Sequence, residues 1–273
     1  MGGPGLITIL IGALSAILAA GLIGLFVKPK PFPPYPERTP DLHTVAPPAD
    51  LPAPVARYFR AIIGDRIPVV DSAVLTGSVT LRLGGFRFNG RFRFVHAAGR
   101  AYRHYIEATI FGIPVMRVNE RYLDGKARME LPFGVFEDDP KLAQAANLGL
   151  WAESVWLPSI FITDPRVRWE AVDDATARLI VPFGTETDSL TVRFDPDTGL
   201  LRDMEAMRYR DVRDAAKIRW VVQVLGWATF NGVRVPSPAS VTWMDQGKPW
   251  VVWTVEDVVY NVDVSEYVRA RGL

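Results

Sequence analysis

The chain has 273 residues, of which 49% are hydrophobic and 22% charged, with 31 basic and 30 acidic side chains. That composition is typical of a globular body joined to an apolar segment, and it excludes a largely disordered protein. The net charge of +1 argues against a nucleic-acid partner, because a polyanion requires a basic excess or stripe. Cysteine is absent, which excludes disulfides, thiol catalysis and cysteine-ligated metal sites. We expect no cofactor.

Residues 6–27 form a run of 22 uncharged residues near the N-terminus. As a helix this run would be about 33 Å long, enough to cross a bilayer core of about 30 Å. The alternative is a cleaved signal peptide, which requires a basic start and a small-x-small cleavage site. The sequence MGGPG carries no basic side chain, and no A-x-A follows the run. We therefore predict a retained transmembrane anchor over residues 1–28, which makes this a single-pass protein of the cell membrane.

Small residues recur every four positions within this run, at Gly12, Ala16, Ala20 and Gly24. One interpretation is close helix packing against a second copy or a partner subunit. The other is that small residues are simply common in membrane helices. The pattern leaves both interpretations open.

The side of the membrane on which the body lies is not decided by the sequence. Lys28, Lys30 and Arg38 follow the run and no charged side chain precedes it. The positive-inside rule would place the body in the cytoplasm, but three charges are a weak basis. Residues 28–54 contain KPKPFPPYPERTP and APPADLPAP, which predicts an extended polyproline linker over residues 29–50 that holds the body away from the membrane.

Residues 51–273 predict one mainly β domain, of α+β type. A short amphipathic helix over residues 55–63 is followed by about ten or eleven strands joined by short turns, and therefore antiparallel. A sheet of that size must curl or stack to cover its apolar face. We predict a strongly curved half-barrel with helices on its concave side. A closed barrel or a sandwich is the alternative.

Two predicted hairpins define faces of this sheet. In FRFNGRFRF, a loop at Phe88-Asn89-Gly90 would place the phenylalanines on one face and the arginines on the other. Further on, a two-residue turn at Asp124-Gly125 sorts the flanking side chains in the same way. That second hairpin leaves Glu120 on an otherwise apolar face.

Residues 139–162 are the only long helical pattern in the body, and we expect a lid helix around residues 140–157 that ends before Pro158. Glu153 falls on the same stripe of this helix as Trp156. A buried carboxylate needs a partner or takes up a proton. We favour an ion pair with an arginine of the sheet that docks the helix; contact with a ligand is the alternative. The candidate ligand-binding residues are Trp151, Glu153, Trp156, Phe161 and His104.

The histidines predict little chemistry. His96 and His104 are eight residues apart and no H-E-x-x-H or similar spacing occurs, so we predict no metal site. His104, on an apolar strand face, is typical of a core histidine. No nucleophile elbow, P-loop or dinucleotide fingerprint is present. We name no catalytic residue and favour a non-enzymatic role, with a hydrolase using Glu153 or His104 as the weakest hypothesis.

Several motifs support a resemblance: WAESVWLPS, VRWEAVDDATARLIVP, a W-x-x-F-x-G-V-x-V-P-S segment at residues 227–237 and D-x-G-x-P-W at residues 245–250. The chain resembles an uncharacterised family of bacterial membrane-anchored proteins, in which a helix carrying E-x-x-W-L-P precedes a W-E-x-x-D strand. The resemblance implies a body distantly similar to the half-barrel of lipoprotein-localisation factors, whose concave face holds acyl chains under a helical lid. Such carriers shuttle freely outside the cytoplasm, so the anchor is a departure from them.

Two functional hypotheses follow. The first is a membrane-anchored binding protein that holds a lipid or another apolar ligand between sheet and helix. The second is a non-catalytic accessory subunit that docks through its transmembrane helix and uses the sheet as a scaffold. A continuous apolar cavity beneath the helix would favour the first, and a fully packed concave face would count against it.

Overall fold

The computed structural model describes residues 5–273, without the side chains of Leu6 and Ile7. Within these residues the α-helices are α1 Leu6–Gly24, α2 Ala53–Ile62, α3 Pro140–Glu153 and α4 Ile160–Thr163, and two 3-10 turns cover Ser154–Trp156 and Tyr267–Arg269. The strands are β1 Thr44–Val45, β2 Ile67–Pro68, β3 Ser72–Leu83, β4 Phe86–Ala97, β5 Ala101–Ile110, β6 Ile113–Leu123, β7 Lys126–Leu131, β8 Gly134–Glu137, β9 Arg168–Asp173, β10 Thr176–Phe183, β11 Glu186–Phe194, β12 Leu201–Arg208, β13 Ile218–Val224, β14 Trp227–Phe230, β15 Val233–Pro236, β16 Ala239–Trp243 and β17 Lys248–Tyr260.

Thirteen of these strands form one antiparallel sheet in the order β8-β7-β6-β5-β4-β3-β17-β16-β13-β12-β11-β10-β9. The described pairings leave β8 and β9 as free edges, so the sheet is open and not a closed barrel. The predicted mainly β, antiparallel architecture is confirmed, although the sheet has more strands than the ten or eleven expected. One reason is the short edge strand β8, which the sequence analysis did not predict.

The sheet curls around α3. This helix contacts β6 and β7 near one edge and β10, β11 and β12 near the other. In a flat sheet β7 and β12 would be eight strand spacings apart, about 38 Å at about 4.8 Å per spacing. A helix is only about 10 Å across, so the two edges must turn towards each other to reach it. As a result α3 lies inside the concave side, with residues 144–152 all buried.

The prediction of a hairpin in FRFNGRFRF is wrong. This segment is part of the single strand β4. The chain reverses earlier, at Gly84-Gly85, where both residues have positive φ (57° and 85°) and Leu83 pairs with Phe86. Simple alternation then places the phenylalanines inside and the arginines outside, so no odd loop is needed. Glycine is needed at position 90 because the neighbouring strand approaches closely there. A Cβ on Gly90 would lie 2.2 Å from the Glu107 carbonyl oxygen.

The other local predictions are closer to the structure. Asp124 and Gly125 form the expected two-residue turn, with φ of 53° and 75° and Leu123 paired with Lys126. The short helix predicted at residues 55–63 is α2, which buries Phe59 and its apolar neighbours against the sheet.

No helix in the described part of the chain combines the length and the apolar character needed to cross a membrane. The predicted transmembrane anchor is therefore not confirmed. The small-residue stripe is also partly used within the chain. The Phe111 N–H donates to the Gly24 carbonyl at 2.8 Å, and a Cβ on Gly24 would lie 2.6 Å from the Phe111 ring. Gly12, by contrast, faces open space.

The proline-rich residues after α1 lie against the outer face of the sheet. Phe32 is 4% exposed and sits beneath the Arg91 guanidinium, 4.3 Å from its ring centroid. Arg91 also donates to the Lys30 carbonyl at 2.9 Å, and the Tyr35 ring stacks on Tyr267 with centroids 5.8 Å apart. These contacts fix the segment to the body, in contrast to the predicted spacer that holds the body away from the membrane.

Candidate functional site

The helix α3 presents Glu153 to the concave face of the sheet. Its start is fixed by Asp139, whose carboxylate accepts from the backbone N–H of Lys141 at 2.7 Å and of Leu142 at 3.3 Å, as an N-cap residue does. Its end is at Glu153, where the 3-10 turn begins and Pro158 follows. The helix is therefore held at both ends, and Glu153 points from its last turn towards β4 and β5.

The strand side of the site comes from the β4–β5 hairpin and from β6. Because Ala97 pairs with Ala101, His96 and His104 fall on the same face as diagonal neighbours across the hairpin. Glu120 lies directly opposite His104 on β6. Alternation along the strands thus brings both histidines and this carboxylate beneath Glu153.

Glu153 and His104 form the shortest of these contacts. The Oε2 of Glu153 lies 2.8 Å from Nε2 of His104. On the other side of the ring, Nδ1 of His104 lies 3.6 Å from Oε2 of Glu120, and the Tyr102 hydroxyl donates to Glu120. The His104 ring is stacked between Phe94 and Tyr102, with centroids 3.8 and 4.1 Å away. The imidazole is therefore fixed in place by two rings and faces a carboxylate on each side.

Glu153 and His104 shift each other's pKa. Burial alone would lower the pKa of His104, but Glu153 and Glu120 outweigh it and raise this pKa to about 9. Burial alone would raise the pKa of Glu153, but the charge of His104 outweighs it and lowers this pKa to about 2. At neutral pH the contact is therefore an ion pair between imidazolium and carboxylate.

His96 is the third member of the group and differs from His104. It is 1% exposed, and burial lowers its pKa, so the ring is neutral. Its Nε2 lies 3.3 Å from Oε2 of Glu153, but neither ring nitrogen has a partner in hydrogen-bond geometry within the described chain. A buried imidazole without such partners is costly.

His96, His104 and Glu153 could together hold a metal ion, although the sequence analysis predicts no such site. Each offers one ligand atom, and these atoms lie within 4.8 Å of one another. Two imidazoles and a carboxylate suit Zn²⁺ or a ferrous ion, with Glu120 placed to orient His104 from behind. The same atoms are already engaged in the Glu153–His104 ion pair, so a cation would have to replace that contact.

The structure corrects one detail of the predicted docking, because the partner of Glu153 is His104 and not an arginine of the sheet. Two further polar residues of the helix are also used in docking. Gln144 and Asn147 are buried, and their amides donate to the Asp188 carboxylate on β11, each at 3.1 Å. These contacts tie the helix to the far half of the sheet, as Glu153 ties it to the near half.

An apolar cleft with a volume of about 30 Å³ lies beneath the end of α3, between the helix and the sheet. It is lined by Ala152, Glu153, Val155, Trp156, Leu201, Trp220, Val222, Val224, Pro236, Ala239, Val241 and Trp253. A space of this size holds about one water molecule. The cleft is therefore much smaller than the continuous apolar cavity that would favour ligand binding, because α3 is packed into the concave face with residues 144–152 buried.

Of the five predicted ligand-binding residues, Glu153 and Trp156 line this cleft and His104 touches Glu153. Trp151 and Phe161 do not line it and belong to the packed core. His96 and Glu120 surround Glu153 and His104, and Trp220 and Trp253 line the cleft, but none of the four is among the predicted binding residues. His96 could have been found from Gly99 alone, since a tight turn there pairs Ala97 with Ala101 and puts both histidines on one face.

Comparison with known proteins gives the family. A profile described as a family of unknown function, DUF6544, matches residues 42–255. The chain belongs to this family. The expected membership of an uncharacterised family is thereby confirmed. No curated protein matches the sequence.

Solved structures show a distant likeness to lipoprotein-sorting proteins. A LolA superfamily protein from Nitrosomonas europaea is 9% identical, with a TM-score of 0.47 over 80% of this chain and 96% of that one. A putative outer membrane lipoprotein-sorting protein domain from Vibrio parahaemolyticus is 10% identical, with a TM-score of 0.43 over 78% and 92%. A DUF1329 family protein from Desulfovibrio piger is 12% identical, with a TM-score of 0.44 over 74% and 90%.

The ion pair predicts how stability changes with pH. His104 has a folded pKa of about 9, above its ordinary 6.5, so its contribution is complete below pH 6.5 and is lost as pH rises to 9. Glu153 has a folded pKa of about 2, below its ordinary 4.5, so its contribution is complete above pH 4.5 and is lost as pH falls to 2. The pair therefore stabilises most between pH 4.5 and 6.5.

Urea denaturation should show this loss above pH 6.5. We expect the free energy of unfolding to fall by about 1–3 kcal/mol more between pH 6.5 and 9 in the wild type than in His104→Gln, which cannot titrate. His43→Gln, an exposed histidine in the N-terminal segment, is the matched control and should behave as wild type. Equal pH slopes for wild type and His104→Gln would contradict the ion pair.

Proposed function

We propose that this protein binds an apolar ligand at the concave face of the sheet, in the place where residues 154–163 now pack. The supporting observation is the apolar cleft at the end of α3, which has Glu153 as its only charged lining residue. An apolar space with one carboxylate beside it suits a molecule with an apolar chain and a polar end. Since the cleft holds only about one water, the chain must move outward before the ligand enters.

The contacts that close the concave face are well suited to such a movement. The helix is tied to both halves of the sheet through polar side chains, Glu153 on one side and Gln144 and Asn147 on the other. Polar contacts stabilise an interface less than apolar packing of the same area, because both partners lose water on burial, although removal of one partner of a buried pair is destabilising. An interface fastened in this way separates at a lower cost than an apolar one of the same area.

Polar atoms without partners lie along the same interface. Within the described residues, Trp220 Nε1, Arg208 Nε and both nitrogens of His96 make no hydrogen bond. A permanent core normally satisfies such groups. A bound ligand with a polar end offers them partners, which supports an interface that exchanges between the helix and a ligand.

Binding can be tested by the quenching of tryptophan fluorescence with a brominated long-chain alcohol, whose hydroxyl can donate to a carboxylate, since Trp156, Trp220 and Trp253 line the cleft. We expect saturable quenching. Glu153→Gln weakens the closure and should bind about tenfold or more tightly, because apparent affinity rises with the fraction of open molecules. Val224→Ile fills most of the 30 Å³ cleft and should bind more weakly.

The control for the filled cleft is Val172→Ile, the same change at an exposed position of β9, which should leave the quenching curve unchanged. Quenching that is absent, or that is the same in all three variants, would contradict ligand binding. It would favour the second hypothesis, an accessory subunit whose sheet is only a scaffold, which the packed concave face also supports.

Attachment to the cell membrane through α1 is the second part of the proposal. Large apolar side chains project from all sides of this helix, and Leu10, Leu14, Ile17 and Leu18 are each about 60% exposed or more. A helix that is apolar all round requires an apolar environment. The small residues that remain free on the stripe, Gly12, Ala16 and Ala20, then face a second copy or a partner subunit.

Membrane attachment predicts that the full chain stays in the pellet when cell membranes are washed with alkaline carbonate. Leu14→Arg with Leu18→Arg should release it, since each charge in a bilayer core costs about 2.5–3.5 kcal/mol. Val135→Arg with Val172→Arg, an equal charge at exposed positions of the body, should not. A full chain found in the soluble fraction would contradict attachment. Native mass spectrometry of the extracted protein distinguishes a bound lipid from a stoichiometric protein partner.

A further inference from the structure

A second group of charges lies on the convex face of the sheet, opposite the site described above. Arg103 on β5 pairs across strands with Arg121 on β6, and Arg121 pairs with Arg128 on β7. Three arginines therefore stand side by side in one row. Like charges directly opposite each other destabilise a sheet, so this row requires a compensating anion.

The protein supplies only part of that compensation. Arg128 is paired with Glu130 at 3.0 Å and also with Glu137. Among the described residues neither Arg103 nor Arg121 forms a salt bridge with a carboxylate; the contact of Arg121 is with the Arg269 backbone carbonyl, at 3.4 Å. Two of the three arginines in the row, Arg103 and Arg121, therefore carry uncompensated positive charge.

Arg103 is the arginine of the row with the greatest unmet need for hydrogen-bond acceptors. It is 1% exposed, and in the described chain Nε, Nη1 and Nη2 all lack a hydrogen-bond acceptor. Its guanidinium lies 4.9 Å from the centroid of the Tyr267 ring, which stabilises a cation but accepts no conventional hydrogen bond. Arginine stays protonated in proteins, so a buried charge with unused donors remains.

A pocket of about 230 Å³ opens beside this guanidinium, between the strands and the C-terminal residues. Its lining is Arg103, Asn119, Glu120, Arg121, Arg128, Glu130, Arg269, Ala270 and Arg271. Of the two acidic residues, Glu120 directs its carboxylate to Tyr102 and His104, and Glu130 is shared between Arg128 and Arg271. Arg103, Arg121 and Arg269 are left without a carboxylate partner in the described structure.

We propose that this pocket binds a phosphate oxyanion, with Arg103, Arg121 and Arg269 as its ligands. The planar guanidinium fork matches phosphate oxygens and donates two charge-assisted hydrogen bonds to them. Three guanidinium groups around one cavity offer more hydrogen-bond donors than a single carboxylate can accept. The phosphate could belong to a lipid headgroup or to a small soluble phosphate compound, which present the same oxygens to the pocket. The site is independent of the concave face.

Isothermal titration calorimetry with inorganic phosphate tests this site on the full chain, at an ionic strength held constant with sodium chloride. We expect saturable binding that Arg121→Gln and Arg269→Gln each weaken about tenfold or more, because each removes a charge-assisted contact. Both residues are at least partly exposed, so these variants should fold. Arg103→Met should abolish binding. Arg87→Gln, an exposed arginine on β4 outside the pocket, is the matched control and should bind as wild type.

A second experiment, with lipid vesicles, distinguishes the two sources of the phosphate. Sedimentation that is greater with phosphatidic acid vesicles than with phosphatidylcholine vesicles, with the difference lost in Arg121→Gln and Arg269→Gln, identifies a lipid headgroup. Binding of inorganic phosphate without this difference identifies a soluble phosphate compound. Absence of saturable binding to both probes, or equal binding by the two variants and Arg87→Gln, would overturn the proposal.

Discussion

The ion pair between Glu153 and His104 is the contact that determines how the helix sits in this fold. The sheet can curl only if something fills its concave side, and α3 does so with residues that are buried all round. Apolar packing alone would let such a helix slide or turn by a residue. A 2.8 Å contact between charged partners fixes one register, because a displaced helix would leave both charges buried and unpaired.

The same contact links the fold to the proposed function. It lies where α3 ends and beside the apolar cleft, so that breaking it frees the residues that cover the cleft. The far half of the helix remains tied through Gln144 and Asn147 to Asp188. An opening that begins at Glu153 would therefore swing the end of the segment outward while its start stays attached.

Much of the architecture could be predicted because it depends on local patterns. Alternation predicts most strands and Asp124-Gly125 predicts a turn, whereas the long helix predicted around residues 140–157 ends at Glu153 and continues as a 3-10 turn to Trp156. FRFNGRFRF suggests a hairpin because Asn-Gly is a strong turn signal, while the need for Gly90 comes from the carbonyl of Glu107 on the next strand. A backbone contact with a neighbouring strand leaves no mark in the local sequence.

The site was only half predictable for a similar reason. Periodicity showed that Glu153 points inward, so a buried partner was required, and this much could be derived from the sequence alone. The identity of that partner depends on the register between a helix and a strand 49 residues away in sequence, which no local pattern contains. Arginine was expected because it is the commoner partner of a carboxylate; His104 takes its place because Phe94 and Tyr102 hold the ring at the correct height.

A double-mutant cycle on Glu153 and His104 measures the coupling directly. The unfolding free energies of Glu153→Gln, His104→Gln, the double variant and the wild type would be compared at pH 6, where both charges are present. The account predicts a coupling energy above about 1 kcal/mol, as expected for partners in direct contact. Changes that add to within about 0.5 kcal/mol, the behaviour of independent sites, would contradict the claim that this ion pair fixes the helix.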